Sequence, residues 1–271
     1  MDAVDRSTAA LLLETLRGAT GRADLEYAAP SDLFFRDPND VKHVLKSMMG
    51  VRQGSVLGPV FFCAAMHPML CEISRSNKDL RVYAYMDDVS LVGAPDACGK
   101  AFQFAQRHLN EMSVKINANK CEAIKACFMD SEKAIMRNMC GNDIAIVEAN
   151  THAIRLLGAY VGADSEVKSK LLTSVKKHDR LFSILRKLFG EDQLALLQHV
   201  LIPRVNFLLR THRPDLMQDA AFYFEQNVST ALKQLANIDL DTDTRDLAAL
   251  PTSWGGLGVT NVLKLSPIAY A

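Results

Sequence analysis

The chain has 271 residues, 49% of them apolar and 23% charged, and its 31 basic and 31 acidic residues balance to a formal net charge of zero. Such a length buries a substantial core as one large domain or two, and the balanced charge excludes a bulk polyanion binder, so any polyanionic partner must be met by a local patch. The six scattered cysteines form no C-x-x-C pair and no zinc spacing, no apolar run is long enough for a bilayer, and the N-terminus shows no signal-peptide pattern; the expectation is an intracellular protein of nucleus or cytoplasm with no membrane partner.

In chain order, Ser7 or Thr8 caps a predicted helix through Ala10–Gly18, stopped by Gly18. Asp32–Arg36 and Val41–Met48 read as strands joined by a turn at Asp37–Asp40 that contains Pro38 and Asn39. A loop with three glycines, Gly50–Pro59, feeds the apolar run VFFCAAMHPMLCEI, a helix expected to bend near Pro68. Leu80–Gly93, LRVYAYMDDVSLVG, holds two β-type runs, Arg81–Met86 and Val89–Val92, around Asp87 and Asp88. Two residues between such runs predict a hairpin with both carboxylates at its tip, over a sheet too apolar to face water.

Ala97–Met112 has a helical pattern with Phe102, Phe104, Ala105 and Leu109 inward. Val114–Ile116, Ala123–Phe128, Ile144–Val147 and Ala153–Val161 read as further strands. Beyond Gly162–Glu166 the character changes to helices over Glu166–Phe189, Asp192–Ile202, Val205–Thr211, Leu216–Leu235 and Thr242–Ala249, with Pro203 and Pro214 as breaks. The terminal LPTSWGGLGVTNVLKL is expected as a glycine-rich loop. The expected organisation is α+β over 1–163 and all-helical over 164–271.

Mg²⁺ prefers oxygen ligands and takes one or two protein carboxylates, the remaining positions going to water and substrate phosphates. A pair of such ions about 4 Å apart can clamp both oxygens of a phosphoryl transfer. Asp87 and Asp88 are adjacent, so on a strand they point to opposite faces and serve such a site only with another carboxylate beside them. On its own, an Asp-Asp dipeptide reads first as an exposed turn.

The surrounding motifs change that reading. GVRQGSVLGP before YMDD and INANKCEAI after it resemble three consecutive motifs of reverse transcriptases, and LLGAYVG resembles the primer-grip region that follows them. The downstream helices and ALPTSWGGLGV resemble what trails the polymerase core in retrotransposon-type enzymes of the non-LTR kind. The resemblance covers nearly the whole chain. It implies a polymerase palm with an antiparallel sheet and a YMDD hairpin, followed by a helical thumb and C-terminal region. It also implies two Mg²⁺ ions, an RNA template, a DNA primer and deoxynucleotides.

By the same resemblance Asp87 is the principal metal-binding carboxylate and Asp88 its less critical neighbour, while Tyr85 and Met86 line the floor beneath the primer terminus and also pack the sheet. Gln53 and Gly54 lie against the incoming nucleotide and template base, where a glycine lets backbone approach closely and Gln offers donors and acceptors. Lys120 neutralises or protonates the departing pyrophosphate; its plainer reading is a solvated loop lysine. Leu157 and Gly158 match the primer grip and could equally be turn residues.

One observation stands apart from the motifs. Wound at 100° per residue, Lys168, Lys176, Lys177, Arg180, Arg186 and Lys187 share one face of 166–189, and Val167, Leu171, Val175, Phe182, Leu185 and Phe189 the opposite one. Such a face is commonly just solvated surface; behind a palm it can neutralise the phosphates of a template–primer duplex.

The resemblance also has gaps. The opening MDAVDR looks like the tail of the motif that carries the family's first metal-binding aspartate, which places that aspartate, and the fingers, before Met1. Asp5 is better explained as a residue near a helix start, and Met86 stands where many relatives have alanine. Two readings follow: the palm–thumb part of a retroelement reverse transcriptase, or an inactive truncated remnant that at most binds nucleic acid. An RNA-dependent RNA polymerase is disfavoured by the combination of Y-x-D-D with Q-G-x-x-L-G-P.

Overall fold

The computed structural model describes residues 31–47, 58–112, 114–188 and 190–270. The predicted helix over Ala10–Gly18, together with Gln53, Gly54 and Phe189, lies outside the described residues. The chain divides into two compact units, Met1–His108 and Leu109–Ala271. Mixed helices and small sheets make up both, and the sheets among the described residues are four two-stranded ribbons.

In the first unit, β1 (Ser31–Arg36) and β2 (Lys42–Ser47) pair antiparallel from Ser31↔Ser47 to Arg36↔Lys42. Asp37 makes the turn: its Oδ1 accepts the N–H groups of Asn39 and Val41, each at 2.9 Å, an Asx turn of the kind Asp favours. The Val41 hydrogen bond first, then that to the His43 ring and last that from Asn39, hold the Asp37 carboxyl below the usual range against an opposing effect of burial. Next comes α1 (Gly58–Ser76), which carries Pro68 within it and buries the stripe Met66, Met69 and Ile73, the i, i+3, i+7 spacing of one helical face. Buried Leu80 then leads into β3 (Arg81–Tyr85) and β4 (Asp88–Val92), and α2 (Pro95–Glu111) follows.

The second unit holds the larger core. Residues 114–116 form no strand: the Val114 N–H is taken by the Leu109 carbonyl at the end of α2, at 2.8 Å, which ties this backbone to a helix end. A 3₁₀ turn, Ala118–Lys120, precedes β5 (Glu122–Lys125). Then α3 (Asp130–Cys140), a helix missed in the sequence, crosses over to β6 (Ala145–Glu148), which pairs parallel with β5. The segment read as one strand, Ala153–Val161, folds back on itself as β7 (Ala153–Leu156) and β8 (Ala159–Gly162), antiparallel about Leu157 and Gly158. Both turn residues have left-handed φ, 47° and 91°.

The helices are α4 (Asp164–Lys176), α5 (Asp179–Leu185), α6 (Gly190–Leu196) running into a π-helical turn at Leu197–Leu201, α7 (Pro203–Thr211), α8 (Pro214–Ala236), α9 (Thr242–Ala249) and α10 (Val262–Tyr270). Pro203 and Pro214 each open a helix, where a missing N–H costs nothing. The single helix expected over 166–189 is two, because the His178 N–H bonds back only three residues to the Val175 carbonyl at 3.0 Å and tightens the turn. α8 is the central element: Met217, Ala220, Ala221, Phe224, Val228, Ala231 and Leu232 are all buried on it. Leu171, Val175, Phe182, Val205, Leu209 and Val262 of the surrounding helices belong to the same cluster.

Candidate functional site

The acidic hairpin folds one residue out of the expected register. β3 and β4 pair Arg81↔Val92, Val82↔Leu91, Tyr83↔Ser90, Ala84↔Val89 and Tyr85↔Asp88, so the two loop residues are Met86 and Asp87, and Asp88 begins the returning strand. Met86 has φ 57°, the left-handed value that primed hairpin turns require at their first loop position so that the strand twist is matched. Directly opposed residues share a face; Tyr83, Tyr85, Asp88 and Val92 therefore lie together on the open face, with Tyr83 55% and Tyr85 65% exposed. Half-buried Val82 and Leu91 occupy the other. The expected buried sheet beneath the carboxylates is thus a two-stranded ribbon whose acidic face is open.

Asp87 and Asp88 are both exposed, and neither carboxylate has an ion-pair or hydrogen-bond partner among the described residues. The Cys63 thiol of α1 lies 3.9 Å from Met86 Sδ, so this helix touches the residue before the acidic pair. No group of three or more His, Cys, Asp or Glu side chains among the described residues is placed to hold a metal ion. Asp87 and Asp88 supply oxygen ligands of the kind Mg²⁺ takes, but only part of the protein share of a two-ion site, and no third carboxylate stands with them among the described residues.

The remaining candidates lie in the second unit. Lys120 ends the 3₁₀ turn, exposed, with its N–H on the Asn117 carbonyl at 2.9 Å. Leu157 and Gly158 form the β7–β8 turn, Leu157 52% exposed; a Cβ on Gly158 would stand 3.0 Å from the Phe207 ring. Lys168, Lys176, Lys177, Arg180, Arg186 and Lys187 are all exposed along α4, α5 and their flanks, none of them ion-paired among the described residues, while Val167, Leu171, Val175, Phe182 and Leu185 are buried. The amphipathic division read from the sequence survives the break between the two helices. Lys176 also lies over the Tyr223 ring, 5.4 Å from its centroid.

Two polar constellations had no signal in the sequence. His212, 3% exposed, accepts the Tyr160 backbone N–H at Nε2. In the core, Arg245 Nε meets Glu225 Oε1 at 2.6 Å, and its other nitrogens donate to the Val259 and Thr260 carbonyls at 2.8 and 3.0 Å. Glu225 Oε2 in turn accepts the Val262 N–H at 2.9 Å. Isolated His, Glu and Arg residues acquire these roles only through long-range packing, which periodicity does not report.

Residues 28–161 match the family model described as reverse transcriptase (RNA-dependent DNA polymerase). Among curated proteins, the chain is 22% identical over 261 residues to the retrotransposable element SLACS 132 kDa protein of Trypanosoma brucei gambiense; the match covers 96% of this chain and 20% of that protein. The chain thus spans about a fifth of that relative's length. No solved structure matches it.

Proposed function

We propose that this chain is the reverse transcriptase domain of a retroelement, serving RNA-templated DNA synthesis with the Tyr85–Asp88 hairpin as the catalytic end, a reading supported by the family-model match and the retrotransposon relative. In that reaction a primer 3′-hydroxyl attacks the α-phosphate of a deoxynucleotide; a new P–O bond forms, the bond to the β-phosphate breaks, and pyrophosphate leaves. Asp87 and Asp88 are the carboxylates that would hold Mg²⁺. Held there, such ions would supply positive charge to the phosphoryl-transfer site. The observation that carries this reading is the pair of adjacent carboxylates at an open hairpin tip, without side-chain partners among the described residues, within the stretch that matches the family model.

On the same reading, Tyr85 and Met86 form the floor under the primer terminus, and Gln53 and Gly54, by the motif they match, meet the incoming nucleotide. Lys120 offers a cation to the departing pyrophosphate, and Leu157 and Gly158 bear on the primer. Lys168, Lys176, Lys177 and Arg180 meet duplex phosphates, a sequence-independent interaction suited to an RNA–DNA hybrid. On this reading residues 1–163 belong to the palm and 164–271 to the thumb and C-terminal region of a non-LTR-type enzyme, which acts inside the cell, where RNA and deoxynucleotides are found.

Primer extension by the full-length protein that carries this chain tests the reading. With an RNA template, a DNA primer and Mg²⁺, deoxynucleotides should be incorporated and ribonucleotides should not. Extension with ribonucleotides alone would move the chain to RNA synthesis, and no extension with either would sink the proposal.

A further inference from the structure

The β7–β8 ribbon has an anchor that its own pairing does not supply. Leu156↔Ala159 closes the two-residue turn, and Arg155↔Tyr160 is the next pair, so antiparallel alternation turns the Tyr160 N–H outward, away from β7. On an edge strand such a donor normally faces water. Here it donates to His212 Nε2 at 2.8 Å. The imidazole is 3% exposed and its Nδ1 lies 3.0 Å from the Leu208 carbonyl of α7. Accepting at Nε2 leaves Nδ1 to carry the hydrogen and donate to that carbonyl, which assigns the tautomer. The ring thus joins a strand N–H to a helix carbonyl, two residues beyond Gly158.

Neighbouring hydrogen bonds act in the same direction. The Tyr160 hydroxyl lies 2.6 Å from Ser174 Oγ on α4. At the start of β7, the Ala153 N–H donates to Glu166 and its carbonyl accepts from Lys170 Nζ at 2.5 Å, both side chains of α4. Arg213, beside His212, reaches Asp164 at 2.8 Å and Asp215 at 3.0 Å, but it is half exposed, and surface pairs of that kind contribute little. The buried imidazole dominates, because removing it strands a backbone donor away from water.

We propose that His212 is a positioning residue, whose buried imidazole fixes the Leu157–Gly158 turn to α7, a helix that shares one core with α4 and α5, along which Lys168, Lys176, Lys177 and Arg180 lie. The turn and the basic face then move as one body, and the grip on the duplex sets where the primer terminus stands. This rests on the polymerase reading above, in which the turn bears on the primer and the basic face on the phosphates.

The test compares His212→Leu with His212→Gln in the full-length protein, since the Gln amide oxygen can still accept the Tyr160 N–H and Leu cannot. At saturating template–primer, single-turnover incorporation should fall about ten- to hundredfold in the Leu variant, the scale of a small misplacement of reacting groups. The duplex Kd should stay at the wild-type value, and Gln should restore most of the rate. A wild-type rate in the Leu variant, or an equal loss in both, overturns the proposal. If the Leu variant does not fold, His212→Asn, whose amide is too short to reach Tyr160, replaces it with the same two outcomes. Amide exchange at Tyr160 in the wild-type protein gives a readout independent of polymerisation: slow exchange is expected, and exchange as fast as at exposed strand amides overturns the anchor. A wild-type protein that extends no primer but protects Tyr160 would defeat the polymerase reading while leaving the anchor standing.

Discussion

At the scale of single residues, the hairpin tip is set by a residue the sequence did not mark. Tyr-Met-Asp-Asp contains no Gly or Asn, so nothing in it announces a left-handed position, and an apolar run through Met86 reads as strand. The structure places Met86 at φ 57° instead, a conformation that costs a non-glycine residue about 1–2 kcal/mol. Strain of this kind persists where the surroundings hold it, and here the Cys63 thiol touches the Met86 side chain. The sequence left the LG pair open as turn residues while reading Ala153–Val161 as one strand, so Gly158 was legible only in part. Its φ of 91° and the Phe207 ring 3.0 Å from where a Cβ would stand predict that Gly158→Ala destabilises the second unit by about 1–2 kcal/mol, read as a lower urea midpoint at unchanged slope.

At the scale of elements, 3.6-residue periodicity identified the buried face of 164–188 but not its interruption. The apolar spacing continues from Val175 to Phe182 across a turn closed by a short-range hydrogen bond, so the pattern alone could not show the break. The basic face survives it, and neutralising Lys176, Lys177 and Arg180 together should reduce the slope of log K against log salt for duplex binding by about 3, close to one for each phosphate left without its cation. An unchanged slope would mean that these cations only face solvent. At the break itself, burial pushes the His178 imidazole below its ordinary value of 6.5, the Arg204 charge adds to this, and Asp179 opposes it. Its ring edge rests on Phe224 at 6.3 Å. With the folded value depressed, the unfolded chain takes up the proton first. This contribution to stability is therefore complete above pH about 6.5 and is lost as the pH falls from there toward the folded-state value. Tm should fall on mild acidification, and His178→Gln should flatten that dependence.

For the whole molecule, the α+β character before residue 164, the helical character after it, and most helix positions were legible, since they follow from pattern and from prolines at helix starts. The ribbons, the parallel pairing of β5 with β6 and the terminal helix α10 were not, because they depend on which distant segments meet. The buried Glu225–Arg245 pair shows why. It joins α8, α9, the glycine-rich stretch and α10 through four hydrogen bonds, yet each residue alone reads as an ordinary surface charge. Removing one partner leaves the other charge buried and uncompensated, so Arg245→Met or Glu225→Gln should each cost about 3–5 kcal/mol, and replacing both with apolar residues should cost clearly less than the two single losses summed. Equal additive losses would mean that the pair is not coupled.

The catalytic role proposed for the hairpin meets its most direct test in the carboxylate that forms the turn. Single-turnover deoxynucleotide incorporation on an RNA template, measured for the full-length protein and its Asp87→Asn variant at saturating template–primer, separates chemistry from binding. If Asp87 holds the catalytic ion, the rate should fall about a thousandfold or more, the scale on which electrostatic stabilisation of a transition state acts, with template–primer affinity unchanged. Incorporation by Asp87→Asn at close to the wild-type rate would contradict that role.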